Sequence, residues 1–211
     1  MYKADLIVPA YNEERTVADV LSVARECGVF EAVVCIDDGS RDATAERAAA
    51  VAGVRVVTQT NAGKARAIER GLRECQSDIV CFLDADLVRL TTEHIKALVE
   101  PVLSGSEKAT IGIFKGGRGA TDFAQRIAPL ISGQRCLERR LLDDFDRWDT
   151  KFGIEHALND HLSKKGIAMK RIPLPGASHV MKEEKRGFIA GFAQRLRMYW
   201  DILRYNLTSR S

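Results

Sequence analysis

The segment from Asp78 to Asp86, Asp-Ile-Val-Cys-Phe-Leu-Asp-Ala-Asp, constrains the fold most, because a short apolar run ends in two carboxylates. A run of this length, rich in β-branched and aromatic residues, predicts a buried strand of a parallel sheet, and ligands bind where such strands end. Asp84 and Asp86 could then turn toward one cation. Carboxylates without a neighbouring His or Cys favour Mg²⁺ or Mn²⁺. An isolated Asp-x-Asp would more simply be a pair of solvated loop residues.

Two apolar runs nearer the N-terminus end in the same way. Residues 5–9 lead into Pro9-Ala10-Tyr11-Asn12-Glu13-Glu14, and residues 32–36 lead into Asp37-Asp38-Gly39-Ser40. Turn and helix-cap chemistry explains the glycine and the serine but not two adjacent aspartates. Three runs therefore deliver polar side chains to the same edge of the predicted sheet.

A further strand is predicted over Val54–Thr58, followed by Asn61-Ala62-Gly63-Lys64 and a helix through about Arg73. A cation at a helix N-terminus opposes the helix dipole. Local stability therefore does not favour Lys64 at this place, and the sequence predicts an anionic ligand beside it.

Together these segments resemble the family-2 glycosyltransferases, which have the glycosyltransferase-A fold. The likeness is carried by four motifs in family order: Val8–Glu14, Asp37–Thr44, Asn61–Lys64 and the Asp84-Ala85-Asp86 pair. It is close over residues 3–90 and looser over 91–181. It implies a Rossmann-like α/β fold, a mainly parallel sheet flanked by helices, and a metal-dependent enzyme. That enzyme would move a sugar from a nucleoside diphosphate sugar, UDP in preference to GDP, to an unidentified hydroxyl or phosphate acceptor.

The resemblance also implies a donor-binding set: Pro9, Tyr11, Glu13, Asp38, Lys64, Asp84 and Arg135. Tyr11 and Glu13 would line the base and ribose pocket, and Asp38 would contact the base. Lys64 would steady the pyrophosphate or the base edge, and Asp84 would help to orient the donor. In several glycosyltransferases of this fold a histidine after the last strand completes the metal shell. His179 has that placement, so Asp86 and His179 would hold Mg²⁺ or Mn²⁺, which neutralises the leaving diphosphate.

Glu155 is the candidate catalytic residue, together with Asp84. The acceptor hydroxyl must lose its proton as the glycosidic bond forms, and a nearby carboxylate can accept it in inverting enzymes. A first-turn glutamate that complements a helix dipole is an equally good explanation. Retaining phosphoglycerate glycosyltransferases share the segment Gly153–Glu155 and the late histidine, and their glutamate need not be a base. Inversion and retention both stay open.

The second half of the chain gives weaker local signals. Its predicted elements are a helix over Thr91–Leu103, a strand over Lys108–Phe114, a helix from Asp122 to about Leu142, a strand over Ile167–Ile172 and a turn over Pro173–Gly176. The predicted loop from Lys115 to Gly119 suits a phosphate contact and an ordinary exposed turn equally well.

Length and composition agree with one catalytic domain. At 211 residues with 45% hydrophobic content the chain can bury a sizeable core, and no Pro-, Gly- or Ser-rich linker divides it. We predict a single domain over 1–211 with a nucleotide-binding half (1–90), an acceptor half (91–181) and a tail (182–211). The lack of a membrane-spanning stretch or a signal peptide predicts a cytoplasmic protein. The five scattered cysteines are predicted to be reduced core thiols.

The tail is basic and amphipathic. It holds seven basic and three acidic residues, a net charge of +4 against +3 for the whole chain. Its aromatic and aliphatic residues recur at helical spacing, which predicts a C-terminal amphipathic helix. That helix could pack on the domain, or it could contact the anionic inner face of a membrane where a lipid-linked acceptor would lie. Nucleic acid is not a predicted partner, and a homodimer stays open.

Three other classes of protein are alternatives to a glycosyltransferase. A nucleotidyltransferase of the same fold would need a Gly-rich, Arg-containing phosphate loop after the first strand, where this chain has Pro9-Ala10-Tyr11-Asn12. A phosphatase with an Asp-x-Asp nucleophile would carry that pair after its first strand. A non-catalytic nucleotide-sugar-binding module stays open, although every expected donor-site residue is present.

Overall fold

The computed structural model describes residues 3–115, 132–150 and 153–180. The strands among them are β1 (Ala4–Ala10), β2 (Phe30–Asp37), β3 (Val54–Thr58), β4 (Ile79–Phe82), β5 (Leu87–Val88), β6 (Ala109–Lys115), β7 (Arg135–Glu138), β8 (Lys170–Pro175) and β9 (Ser178–His179). Seven of them form one sheet in the order β3-β2-β1-β4-β7-β6-β8, and β5 pairs with β9. The pairs β1–β2, β1–β4, β2–β3 and β6–β8 are parallel, and β7 runs antiparallel to both of its neighbours. The predicted mainly parallel α/β sheet is confirmed.

Helices cover both faces of this sheet. They are α1 (Val17–Cys27), α2 (Thr44–Ala49), α3 (Lys64–Glu74), α4 (Thr92–Leu103) and α5 (Ile154–Lys164), with a 3₁₀ turn over Arg139–Leu142. Side chains of a strand alternate between faces. In β1, Leu6 therefore packs with α1 and α4, whereas Ile7 packs with α3 and α5. The central strands are apolar throughout because both of their faces are buried.

The strand predictions in the first half are confirmed to within about two residues, apart from the shorter β4. The predicted thiols are also in the core, since all five cysteines are free and buried. Burial raises the pKa of Cys35 to about 12, so its thiol stays protonated.

The predicted helix from Asp122 to Leu142 is wrong over its last part. Residues 122–131 lie outside the described ranges, but Arg135–Glu138 form a strand and Arg139–Leu142 a 3₁₀ turn. Arg, Leu and Glu favour helix intrinsically. Pairing with β4 on one side and β6 on the other overrides that preference, because it satisfies the backbone of a segment buried in the middle of the sheet.

The predicted turn at Pro173-Leu174-Pro175 is also wrong, since these residues end strand β8. Among the described strands, β8 lies at an edge of the sheet, next to β6. Proline lacks the backbone N–H, and an edge strand is the place where that loss is tolerated.

Residue contacts group Met1–Ser178 into one compact unit and the residues from His179 onward into another, of which only His179 and Val180 are described. The prediction of a single domain stays a prediction. The C-terminal amphipathic helix and the glycine loop after Lys115 lie outside the described residues. Within the described parts of the chain, no helix has the length and apolar character needed to cross a membrane.

Candidate active site

The first three strands end in loops that bond to one another. The Asp38 amide donates to the carbonyl of Ala10 at 2.9 Å. The Asp38 carboxylate accepts three hydrogen bonds, from the side-chain amide of Gln59 and from the backbone amides of Ala62 and Gly63, at 2.7 to 2.9 Å. Asp38 is 3% exposed and fixes the backbone that leads into α3, including the amide of its N-cap, Gly63. Its predicted contact with the base stays a prediction.

The loop after β1 is held against the loop after β2. Asn12 is in the left-handed region at φ 55°, and its backbone N–H donates to the Ser40 hydroxyl at 2.9 Å. The Glu13 amide donates to the Thr44 hydroxyl at 2.8 Å. Tyr11, one residue before the left-handed turn, is 41% exposed. The structure therefore presents an aromatic ring and a carboxylate at the sheet edge where the sequence analysis places the base and ribose.

Pro9, another residue of the predicted donor-binding set, is the penultimate residue of β1. It is partly buried and lies opposite Ile36 of β2 in the strand register. Its predicted donor contact also stays a prediction.

Lys64 lies between two carboxylates of its own chain. Its Nζ is 2.5 Å from Asp84 Oδ1 and 2.6 Å from Glu155 Oε1. The three side chains are 35%, 16% and 17% exposed in that order. Burial would lower the pKa of Lys64, but the two carboxylates outweigh it and raise that pKa above its ordinary value. We call Lys64, Asp84 and Glu155 the carboxylate–lysine cluster. It joins the start of α3, the loop after β4 and the first turn of α5.

Two of the predicted metal ligands, Asp84 and Asp86, lie after β4 beside this cluster, and one oxygen of each lies within 4.8 Å of the other. Two carboxylates suit Mg²⁺ or Mn²⁺. Asp84 already bonds Lys64 through Oδ1 and the Gln134 amide through Oδ2, at 2.8 Å. The carboxylates therefore fit a metal ion, with Asp86 as the preferred direct ligand. His179 is the first residue of the second unit, and its role as a ligand stays a prediction.

Arg135 lies beneath the cluster. Its side chain is 1% exposed, and its guanidinium donates to the Ser132 carbonyl at 3.0 Å and to the Glu155 carbonyl at 3.2 Å. Burial lowers the pKa of Arg135 to about 10, opposed by Glu155 and Asp84, so the group is charged near neutral pH. Its predicted donor contact is untested. In this arrangement Arg135 reaches the site through Glu155.

Sequence reasoning missed two parts of the site. The first is that the anion beside Lys64 is supplied by the protein itself, because Glu155 lies 91 positions away and nothing local links the two residues. The second is the contact of Gln134 with Asp84, which spans 50 positions. The predicted helix from Asp122 to Leu142 gives no reason for Gln134 to reach Asp84.

Comparisons with known proteins place the chain in a sequence family. Residues 5–162 match the family described as glycosyl transferase family 2. The chain is 30% identical over 187 residues to glycosyltransferase AglJ of Haloferax volcanii, covering 80% of this chain and 61% of that protein. It is 34% identical over 212 residues to undecaprenyl-phosphate 4-deoxy-4-formamido-L-arabinose transferase of Pseudomonas fluorescens, covering 80% and 62%. The chain thus spans less than two thirds of the length of these curated relatives.

A solved structure shares the fold as well. Glucosyl-3-phosphoglycerate synthase from Mycobacterium tuberculosis, in complex with Mn²⁺, UDP-glucose and phosphoglyceric acid, matches with a TM-score of 0.69 and 28% identity. The match covers 85% of this chain and 72% of that one. The family match spans well over half of the chain, and the chain therefore belongs to glycosyl transferase family 2.

Proposed function

We propose that this chain is a metal-dependent glycosyltransferase that moves a sugar from a UDP-sugar to a phosphate-bearing acceptor. The observation that carries the proposal is the carboxylate–lysine cluster with the Asp86 carboxylate beside it, at the edge where the strands end. A diphosphate needs a cation to neutralise it, and a sugar needs charged groups to orient its hydroxyls. Groups that can meet both requirements lie at this one edge of the sheet.

Different residues would bind different parts of the donor. Asp86 and His179 would hold Mn²⁺ or Mg²⁺, which would stabilise the charge of the leaving diphosphate. Tyr11 and Glu13 would hold the base and ribose, with Asp38 at the base edge. These roles follow the family resemblance and the placement of all three loops at one edge.

The carboxylate–lysine cluster would hold the sugar. Asp84 and Glu155 can each accept hydrogen bonds from sugar hydroxyls while Lys64 balances their charge. Glu155 would also be the carboxylate nearest the acceptor. Where the acceptor reacts through a hydroxyl, Glu155 can accept the hydroxyl proton or only orient the hydroxyl. The anomeric configuration of the product, measured by NMR, separates these two roles, since a general base acting in a single displacement gives inversion.

The relatives suggest the acceptor. One solved relative is named for phosphoglycerate and contains phosphoglyceric acid, and one curated relative is named for undecaprenyl phosphate. Both names contain a phosphate group. We therefore propose an acceptor of this class, either a small phosphorylated acid or a polyprenyl phosphate.

A donor screen tests the function. Thermal shift with UDP-glucose and GDP-mannose, each with and without Mn²⁺, should show stabilisation that needs both UDP-glucose and metal. UDP release from UDP-glucose should then rise on addition of 3-phosphoglycerate or undecaprenyl phosphate. Metal-independent binding or no binding would contradict the proposal. Pyrophosphate release from UTP and a sugar 1-phosphate would instead indicate a nucleotidyltransferase.

A further inference from the structure

We propose that Gln134 and Arg135 are positioning residues that fix the two carboxylates of the carboxylate–lysine cluster, with Gln134 acting on Asp84 and Arg135 on Glu155. The inference rests on the proposed function, because it concerns the geometry of the same site. Neither residue needs to touch a substrate for it to hold. Both are almost completely buried, at 0% and 1% exposed.

Gln134 holds Asp84 through a side chain that can point only one way. Its Nε2 donates to Asp84 Oδ2 at 2.8 Å. Its Oε1 lies 2.9 Å from the Ser132 hydroxyl, which also lies 2.5 Å from the Gly112 carbonyl. Asp84 as a carboxylate can only accept, so the amide must turn its nitrogen toward it. With Gln134 on Oδ2 and Lys64 on Oδ1, both oxygens of the carboxylate have a fixed donor.

Gly133 lets this contact form. A Cβ at this position would lie 2.5 Å from both carboxylate oxygens of Asp84, closer than any real contact. The Asp84 carboxylate therefore rests directly on the backbone of residue 133. A carboxylate packed on a backbone and bonded on both oxygens has little freedom to rotate.

Arg135 holds the backbone that carries the other carboxylate, from the opposite side of the strand. Adjacent residues of an extended chain point to opposite faces, so neighbours in sequence can serve two different elements. Its guanidinium donates to the Glu155 carbonyl at 3.2 Å and to the Asn159 side chain at 2.8 Å, both on α5. The N-cap of α5 is Gly153, which makes no side-chain cap bond. Arg135 thus ties the first turn of α5 to β7.

The consequence is a rigid link between two distant parts of the chain. Asp84 follows β4 and Glu155 begins α5, and one dipeptide bonds to both. Near-attack geometry is sensitive to displacements of about 1 Å, which can cost about a hundredfold in rate. Loss of either bond should therefore lower turnover more than it lowers donor affinity.

The test uses isosteric or conservative variants and a matched control. Gln134→Met keeps the shape of the side chain but cannot donate a hydrogen bond. Arg135→Lys keeps the positive charge but not the planar guanidinium with its several N–H donors. The control is Thr110→Val, which removes a hydrogen bond of 2.6 Å from another fully buried residue, on β6. With UDP-glucose and Mn²⁺, each site variant should lower kcat for UDP release by about 10- to 100-fold with KM within threefold. The control should keep kcat within twofold at a similar loss in Tm.

Equal kcat in Gln134→Met and Thr110→Val would overturn the inference. If Arg135→Lys does not fold, Asn159→Ala decides its part, because it removes one acceptor of Arg135 at a partly buried position and should lower kcat at unchanged KM. If Gln134→Met does not fold, Ser132→Ala decides its part, because it removes the hydroxyl bonded to Gln134 Oε1 and should lower kcat in the same way. A crystal structure of a site variant in which Asp84 and Glu155 keep their places against Lys64 would overturn it whatever the activity. Failure of the proposed function is separate, because the wild-type chain would then neither bind UDP with Mn²⁺ nor release UDP.

Discussion

Two regions of the molecule hold their carboxylates by different means. Around β1 to β3 the donors are mostly backbone amides: Asp5 accepts from Ala32, Gln76 and Ser77, and Asp38 from Ala62 and Gly63. Around the carboxylate–lysine cluster the donors are side chains, with Lys64 and Gln134 on Asp84 and Lys64 on Glu155.

The difference separates scaffold from chemistry. Backbone donors move only if the main chain moves, so a carboxylate bonded to backbone amides holds neighbouring segments of the fold together. Side-chain donors can exchange partners when a ligand arrives, and one substitution removes them. We therefore expect substitutions near β1 to β3 to affect stability first, and substitutions in the cluster to affect binding and turnover first.

The largest effect is expected from Asp86→Ala. Loss of a direct ligand should abolish the Mn²⁺-dependent part of UDP binding while the fold persists, because Asp86 lies in the turn after β4 and not in the core. Isothermal titration of UDP with and without Mn²⁺ measures it. Asp146→Ala, at an exposed aspartate, is the control and should bind as the wild type does. Unchanged metal-dependent affinity in Asp86→Ala would remove Asp86 from the metal site.

Lys64→Met tests both the turnover and the stability that depend on the carboxylate–lysine cluster. Turnover with UDP-glucose should fall by about 100-fold, as expected when a charged group that orients the reacting atoms is lost. Stability should also fall, by about 1 to 2 kcal/mol after allowance for solvent screening of the partly exposed lysine, because Asp84 and Glu155 would face each other without a cation.

Urea unfolding checks the stability of Lys64→Met. The helix-dipole argument from sequence alone predicts equal or slightly raised stability, since it sees only a cation at a helix start. A variant as stable as the wild type would therefore favour that argument and show that the ion pairs contribute nothing to the fold.

The same two regions explain what sequence could predict. The strands of the first half are short apolar runs, which can be recognised from the local sequence. Asp84, Asp86 and Lys64 follow such runs, so a parallel sheet places them at one edge. β7 has no such pattern. Its strand state depends on β4 and β6, and the contacts of Gln134 and Arg135 span 50 and 20 positions. Spacing along the chain carries no information about contacts of that kind.

Asp5→Asn tests the backbone-held region. Asp5 is 2% exposed, and its two oxygens accept three amide N–H groups at 2.9 to 3.1 Å. Asparagine offers only one acceptor oxygen and places an NH₂ group against amide donors. Stability should fall by about 1 to 3 kcal/mol, with kcat for UDP release within twofold. A large loss of turnover at unchanged stability would break the division between the two regions.

The smallest effect is expected at His156, which follows Glu155 on α5. Burial lowers its pKa below the ordinary 6.5, with Glu155 opposing and Arg135 adding to the shift. Its Nε2 is buried and has no hydrogen-bond partner among the described residues. As the pH falls below about 6.5, the unfolded chain takes up a proton that the folded chain resists, so stability is lost until the folded pKa is passed.

His156→Gln removes that proton uptake. The decrease in the urea midpoint from pH 7.5 to pH 5.5 should therefore be smaller in the variant than in the wild type. Because the shift comes mainly from burial and only secondarily from the cluster, adding UDP with Mn²⁺ should leave the difference in place. An identical pH dependence in both proteins would show that this imidazole is solvated in solution, and that the first turn of α5 is looser than its tie to Arg135 implies.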